Sequence, residues 1–436
     1  MTCNDSGKLA LLLYLALVIF GAAEEKGEIR INEIQLIGTH NSYHVSLPEK
    51  NLNKIGLLNR GLKDSLEYTH RPLTEQLEIL GVRHFELDIF ADPKGGHYSR
   101  DNRPNLLGLN APVMFKEEMK KPGFKVLHDS AVDYLTTTPT LIHALKEIKS
   151  WSHKNPKHIP IFILLEMKDS SPVPLAKKPV PFTQKLLEEV EEEIISIFDK
   201  KNIITPDYVR GNFKTLREAV IKKGWPKLSN SLGKVMFGLD NGGNIRNMYV
   251  KGNASLEGRI LFASVGEKDP GAAFFKLNNP VRSYSTIQNL VKNGFMVRTR
   301  ADSDTREARK NETMRRDKAL SSGAQFISTD FPEPNKKFSN YSVQFRNNLL
   351  EGMIVDLYNN SNQEGGIRNT RAVKKVKLTT PLCAKEIMRL EELEEEKSSN
   401  NLLLIIGLLV LVVAAASGGG GGGSPTGGVD IGITIP

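Results

Sequence analysis

Short apolar runs alternate with helical patterns along most of this chain, and several of the runs end in a histidine or a carboxylate. The runs lie at residues 34–37, 85–89, 125–129, 161–166, 235–239, 260–264, 295–299 and 325–328. Continuous apolar runs of this length suit strands buried on both faces, and strands that alternate with helices imply a parallel sheet. Helical periodicity falls at residues 71–80, 138–151, 182–201, 215–223, 283–293 and 305–322. Eight strands in this alternation predict an α/β fold, a (β/α)8 TIM barrel with its site at the carboxyl ends of the strands. An open doubly wound sheet fits less well, because no glycine-rich phosphate loop follows the first strand. Residues 47–64 are expected as a loop at the barrel mouth, and residues 92–122, rich in Gly, Pro and Asn, as a long excursion over it.

The flanks read differently. Lys8 precedes an apolar run, residues 9–20, and the small residues Gly21, Ala22 and Ala23 follow, the pattern of a secretory signal. Residues 1–23 are therefore assigned as a signal peptide and 24–380 as the barrel domain, with a secreted or extracellular location. The sequons at Asn253, Asn311, Asn340 and Asn359 are compatible with glycosylation there. Of the cysteines Cys3 and Cys383, only the second survives signal removal, so the mature chain has no internal disulfide. Residues 341–357 are read as a strand or helix against the barrel, and 381–401 as a charged helical linker. Residues 402–416 are apolar but shorter than the ~20 residues of a usual span, and 417–436 form a glycine-rich tail expected to be disordered. Membrane attachment through 402–416 stays open. The net charge of +9 is spread along the chain. That excludes a nucleic-acid-binding arm and is compatible with anionic membrane surfaces; no obligate protein partner is evident.

The strand ends carry the chemistry. His40 and Asn41 follow the first strand, Glu86 and Asp88 share one face of the second, His128 ends the third and Glu166 the fourth. Carboxylates crowded at a barrel mouth repel one another unless a cation neutralises them, and oxygen ligands of this kind suit Ca²⁺ or Mg²⁺. Two histidines beside a metal-bound phosphodiester can stabilise charge and protonate a leaving oxygen. Placing His40 and His128 on strands of one parity puts them in a common layer. Lys168, Arg298 and Arg300 are candidate phosphate-binding residues, while Asp330 is read as a loop cap. The other histidines, His44 and His70 among them, are read as structural.

The ordered set Gly38-Thr-His-Asn-Ser-Tyr43, Phe85-Glu-Leu-Asp88, Leu127-His128 and Leu164-Leu-Glu166 resembles the first catalytic half of calcium-dependent phosphoinositide-specific phospholipase C. The resemblance implies Asn41, Glu86, Asp88 and Glu166 as Ca²⁺ ligands, His40 stabilising charge on the phosphoryl group and His128 as general acid. It also implies Glu86 or Glu166 as the base, and a phosphatidylinositol-type lipid cleaved to diacylglycerol and an inositol cyclic phosphate. No EF-hand loop is present, so the chain looks like the compact secreted branch. A Mg²⁺-dependent glycerophosphodiesterase or sphingomyelinase D type of enzyme, and a catalytically silent barrel that binds lipid head groups, are the competing readings.

Overall fold

Strand β1 (Ile34–Thr39) is buried at every residue and runs parallel to β2 (His84–Asp92) and β10 (Phe326–Thr329) on its two sides. The computed structural model describes residues 29–344, apart from 103–107, 110–113 and 172–175, together with the strands Met353–Leu357 and Val373–Lys377. The remaining strands are β3 (Gly123–Val126), β4 (Ile161–Met167), β5 (Ile203–Ile204), β6 (Val235–Leu239), β7 (Leu261–Ala263), β8 (Phe274–Lys276) and β9 (Met296–Arg300).

Eight of these close a parallel ring in the order β1, β2, β4, β6, β7, β8, β9, β10 and back to β1. The expected α/β barrel is therefore present, and it is irregular. The β1–β2 join is a single register pair, Gly38 with His84, and β7 meets β8 through one bridge, Ser264 with Phe274. Short strand β5 pairs with the amino-terminal end of β6, and Met353–Leu357 runs antiparallel to Ile34 and Gln35 of β1. The strand expectation for residues 341–357 holds for 353–357.

Four assignments change. The run at 125–129 is not a barrel strand: β3 lies antiparallel on the upper half of β2, with Ile89 opposite Val126 and Asp92 opposite Gly123. A parallel return needs a crossover, usually helical, and the described residues between β2 and β3 form turns and isolated 3₁₀ helices. At nine residues β2 outruns its neighbours and offers its end as an edge for β3. The missing eighth strand is β8, three residues long and too short to show a period. Residues 47–64 also fold, as helices Glu49–Leu58 and Arg60–Ser65. The 305–322 pattern splits into Arg306–Lys310 and Met314–Ser321, broken where Asn311 takes a φ of 55°.

The outer helices follow their caps and apolar spacing. Thr140 accepts from the His143 amide to start Leu141–Lys154, which buries Leu141, Ala144, Leu145, Ile148 and Trp151 against the sheet. Thr183 caps Gln184–Ile197 in the same way, burying Leu187, Val190 and Ile194. Among the described residues, no helix is long and apolar enough to cross a membrane. Residues 1–23, 381–401, 402–416 and 417–436, with Cys3, Cys383 and Asn359, lie outside the described residues.

The barrel interior sets the site. Side chains two apart on a strand share a face, so each inward series begins low in the barrel and ends at the mouth. His84, Phe162, Phe274 and Phe326 form the lower layer, with Phe162 stacked on Phe326 at 4.3 Å between centroids and meeting Phe274 at 5.1 Å. Gly38 and Gly238 make room for it. A Cβ on Gly38 would come within 2.3 Å of His84, and one on Gly238 within 2.6 Å of Phe162. Four residues up the same strands stand Asp88, Glu166 and Asp330, joined by His40 and Asp240 two residues above Gly38 and Gly238 and by Arg300 at the end of β9. The aromatic plug closes the floor, and the polar groups gather above it.

Candidate active site

Strand β2 contributes Glu86 and Asp88 from its inward face, in register with Leu164 and Glu166 of β4. Glu166 and Asp88 thus stand side by side, and Lys168 reaches both, its Nζ 3.2 Å from Asp88 Oδ2 and 3.4 Å from Glu166 Oε2. The Asp88 contact is off line for a hydrogen bond, and neither of its buried oxygens has a hydrogen-bond partner. Asp240, directly after β6, completes a triad: Glu86, Glu166 and Asp240 each bring an oxygen within 4.8 Å of the other two. Asp240 Oδ1 is also buried without a hydrogen bond. Burial pushes the Glu86 carboxyl up to about 8, against the pull of Arg298 and with Asp240 and Asp88 adding to the rise. Burial and the Asp88 charge push Glu166 up to about 7.

These side chains fit a hard divalent cation. They are all oxygen donors, and an orphaned buried carboxylate oxygen is the condition a cation relieves. Asp240 adds a third acid beside the expected Glu86 and Glu166, and Asp88 stands next to this triad with Lys168 close by. Asn41, at a φ of 45°, donates its amide to the Tyr68 hydroxyl at 3.2 Å, which turns its side-chain oxygen away from Tyr68.

His40 is fixed from both sides. Its Nδ1 lies 2.7 Å from Asp330 Oδ1, while Arg300 Nη1 donates to Nε2 at 3.2 Å. Arginine can only donate, so the proton sits on Nδ1 and Nε2 presents a lone pair. Burial and the Arg300 charge lower His40 to about 3, so the ring is neutral near pH 7. Arg300 also holds Asp330 Oδ2 at 3.1 Å, and the Asp330 amide donates to Asp302 Oδ1 at 2.8 Å. Asp330 is therefore part of the site and not merely a loop cap. Arg298 sits deeper, 1% exposed, pairing with Glu86 and donating to Ser328 at 3.1 Å and to Asn278. Its place is that of a counter-ion to Glu86.

His128 arrives by another route than parity predicts, from the loop after the antiparallel β3. Its Nδ1 hydrogen-bonds Asp133 Oδ2 at 2.8 Å. Burial pulls the imidazole down, but the hydrogen bond and charge of Asp133 outweigh it and hold His128 above the usual histidine value. His44 Nε2 meets the same carboxylate at 2.8 and 3.0 Å, and its Nδ1 meets the Tyr68 carbonyl at 2.9 Å. Burial would raise Asp133, yet the two histidines hold it down at about 2. His70 donates to the His40 carbonyl at 2.9 Å. Both histidines read as structural are thus structural in the service of the site. Burial would raise the Asp88 carboxyl, but Lys168, His128 and His40 outweigh it and hold it below the usual carboxylate range, so His128 acts on the same carboxylate as His40 although it lies off the barrel.

Sequence reasoning passed over Asp240, Asp133 and Lys276. Asp240 carried the same signal as Glu166, a carboxylate closing an apolar run. Asp133 had none beyond standing five residues after His128, and Lys276 lies on the strand that was missed.

Residues 29–353 match the family described as phosphoinositide phospholipase C, Ca²⁺-dependent. No curated protein matches the chain. Among solved structures, it is similar to a calcium-dependent phosphoinositol-specific phospholipase C from Pseudomonas sp., with 14% identity over 72% of this chain and 94% of that one and a TM-score of 0.43. A Ca²⁺-dependent phosphatidylinositol-specific phospholipase C from Streptomyces antibioticus gives 16% identity over 70% and 95%, with a TM-score of 0.44. A phosphatidylinositol-specific phospholipase C from Listeria monocytogenes gives 12% over 72% and 93%, with a TM-score of 0.39. With the family match spanning the whole barrel and the first and last of its strands, this chain belongs to the calcium-dependent phosphoinositide phospholipases C, which are phosphodiesterases.

Proposed function

We propose that the protein is a secreted enzyme that cleaves phosphatidylinositol-type lipids at a membrane surface, breaking the bond between phosphorus and the glycerol oxygen. The observation that carries this reading is the oxygen triad, with His40 3.7 Å from Glu86, together with two histidines that are each backed by an aspartate. A Ca²⁺ ion held by Glu86, Glu166 and Asp240, with Asn41 and Asp88 beside it, would neutralise the crowded carboxylates and polarise a phosphate oxygen. The chain's own residues account for the proton movements. Arg300 turns from His40 to the substrate phosphate, which removes its depressing charge from the ring and uncovers the Nε2 lone pair. His40 Nε2 then takes the proton of the inositol 2-hydroxyl, with Asp330 supporting the imidazolium at Nδ1. The 2-oxygen bonds to phosphorus, the glycerol oxygen leaves, and His128 delivers its Nε2 proton to that oxygen. The products are diacylglycerol and inositol cyclic phosphate. In this reading Arg300, not a charged His40, carries the positive charge toward the phosphoryl group. His40 also replaces Glu86 or Glu166 as the base.

The membrane as partner is supported by the mouth. Helix Glu49–Leu58, in the connection after β1, exposes Leu57 by 86% and Leu58 by 74%, with Lys50 and Arg60 exposed nearby. Exposed apolar tips on a segment that also carries exposed basic residues suit an anionic lipid surface. The sequon residues Asn311 and Asn340 are exposed, in keeping with a secreted glycoprotein.

The test is turnover of phosphatidylinositol vesicles by the full chain with Ca²⁺, Mg²⁺ or chelator. Calcium-dependent release of inositol cyclic phosphate is expected. Cleavage of glycerophosphodiesters or lysolipids with Mg²⁺ would instead make it a phosphodiesterase of the glycerophosphodiesterase or sphingomyelinase D type. Head-group binding without turnover would make it a silent barrel.

A further inference from the structure

Each carboxylate of the site has a cation of the chain's own. Arg298 pairs with Glu86, Lys168 with Asp88 and Glu166, and Lys276 with Asp240. The three cations are not equivalent. Arg298 is 1% exposed and is held by Glu86, Ser328 and Asn278 together. Lys168 bridges two acids and stays anchored if either lets go. Lys276 pairs with Asp240, its side chain is 24% exposed, and its flexible stem opens toward the mouth from β8.

Lys276 stands two residues above Phe274 of the aromatic layer, so it faces inward, and it is in register with Arg298. Its ammonium occupies one oxygen of the residue whose other oxygen is buried and without a partner, in the triad that gathers within 4.8 Å. An ammonium and a divalent cation cannot both hold that small carboxylate at low energy, since like charges at close range repel strongly away from water.

We infer that Asp240 is an acidic ligand of the cation site and that Lys276 is a tethered counter-ion which occupies it until a divalent cation displaces the ammonium. The inference rests on the reading that Glu86 and Glu166 hold Ca²⁺. It makes the observed affinity the result of an exchange. Lys276 keeps the acidic cluster assembled without metal and correspondingly weakens metal binding.

The experiment is a calorimetric Ca²⁺ titration of the full chain, with melting temperature followed in chelator and in Ca²⁺. Lys276→Met should bind Ca²⁺ at least tenfold more tightly than the parent, about 1.4 kcal/mol. Its melting temperature should fall in chelator and recover in Ca²⁺, because the metal-free form alone loses the pair. Lys276→Arg keeps the charge and should bind as the parent does. In the Lys276→Met background, Asp240→Asn should remove the gain, since the two side chains act as one unit. A parent that binds Ca²⁺ with a Lys276→Met variant no tighter overturns the exchange and leaves the calcium reading intact. A parent that binds none defeats the calcium reading. Binding gained by Lys276→Met would then still support the exchange, and none in either chain overturns both. A Lys276→Met chain that fails to fold even in Ca²⁺ passes the question to Lys276→Gln, judged on the same two readings.

Discussion

Replacing Asp133 by Asn keeps the shape of the His128 support and removes its charge. Asp133 Oδ2 accepts from His128 at 2.8 Å, and both of its oxygens lie within 3.0 Å of His44 Nε2. A hydrogen bond to a charged group is worth about 1.5–3 kcal/mol and a neutral one about 0.5–1.5 kcal/mol. The difference is about 1–1.5 kcal/mol, or about one pKa unit for His128 at 1.36 kcal/mol per unit. The His128 side chain is 34% exposed, so solvent screening keeps the shift near the lower end of that range. His128 is held above the ordinary histidine value in the parent, so the acid form extends to higher pH than in a free imidazole and is lost as pH rises through the raised value. In Asp133→Asn that loss should come about one unit lower. The assay is the pH profile of phosphatidylinositol cleavage. Activity is expected within about threefold of the parent on the acid side and about tenfold lower on the basic side. A folded Asp133→Asn enzyme with an unmoved basic limb would refute His128 as the acid that Asp133 tunes.

Further expectations follow from the same geometry. His128→Ala should lower kcat by about 10²–10⁴-fold, the usual share of one general acid, with Ca²⁺ affinity by calorimetry unchanged. Glu166→Gln should weaken Ca²⁺ binding more than Asp88→Asn, because Glu166 belongs to the triad and Asp88 stands outside it; equal losses would place both acids on the ion. With Glu86 raised to about 8 and Glu166 to about 7, the metal-free folded chain holds protons that the unfolded chain gives up near the ordinary carboxylate value. Stability in chelator should therefore fall as pH rises from about 4.5 toward 8, and Ca²⁺ should flatten that fall in a melting series. Replacing both Leu57 and Leu58 by Ser should weaken binding to phosphatidylinositol vesicles about tenfold or more, from the ~0.8 kcal/mol lost per buried methylene, while cleavage of a soluble short-chain substrate stays at the parent's rate.

Much of this protein is legible before it folds. The alternation of apolar runs with helical patterns specifies a parallel α/β barrel, because a strand buried on both faces must be apolar throughout and must return through a crossover. A histidine or carboxylate closing such a run belongs at the mouth, which is how His40, Glu86, Asp88 and Glu166 were located. The same rule reached Asp240 in principle. Its run, Val235–Leu239, was recognised, but one aspartate after a strand looks like any loop residue until its neighbours are known.

Tertiary structure decided the rest. Whether residues 123–126 run with β2 or against it depends on the free edge that β2 leaves beyond its neighbours, a relation between strand lengths that no local period encodes. The tautomer of His40 is set by Arg300 and Asp330, 260 and 290 residues away in the chain. The pairing of Asp133 with two histidines, and of Lys276 with Asp240, likewise joins residues that meet only when the barrel closes. Sequence by itself determined which chemical groups stand at the strand ends. The closed ring determined which carboxylates come together and which charged groups stand beside each histidine, since those follow from distances and burial among side chains that are far apart along the chain.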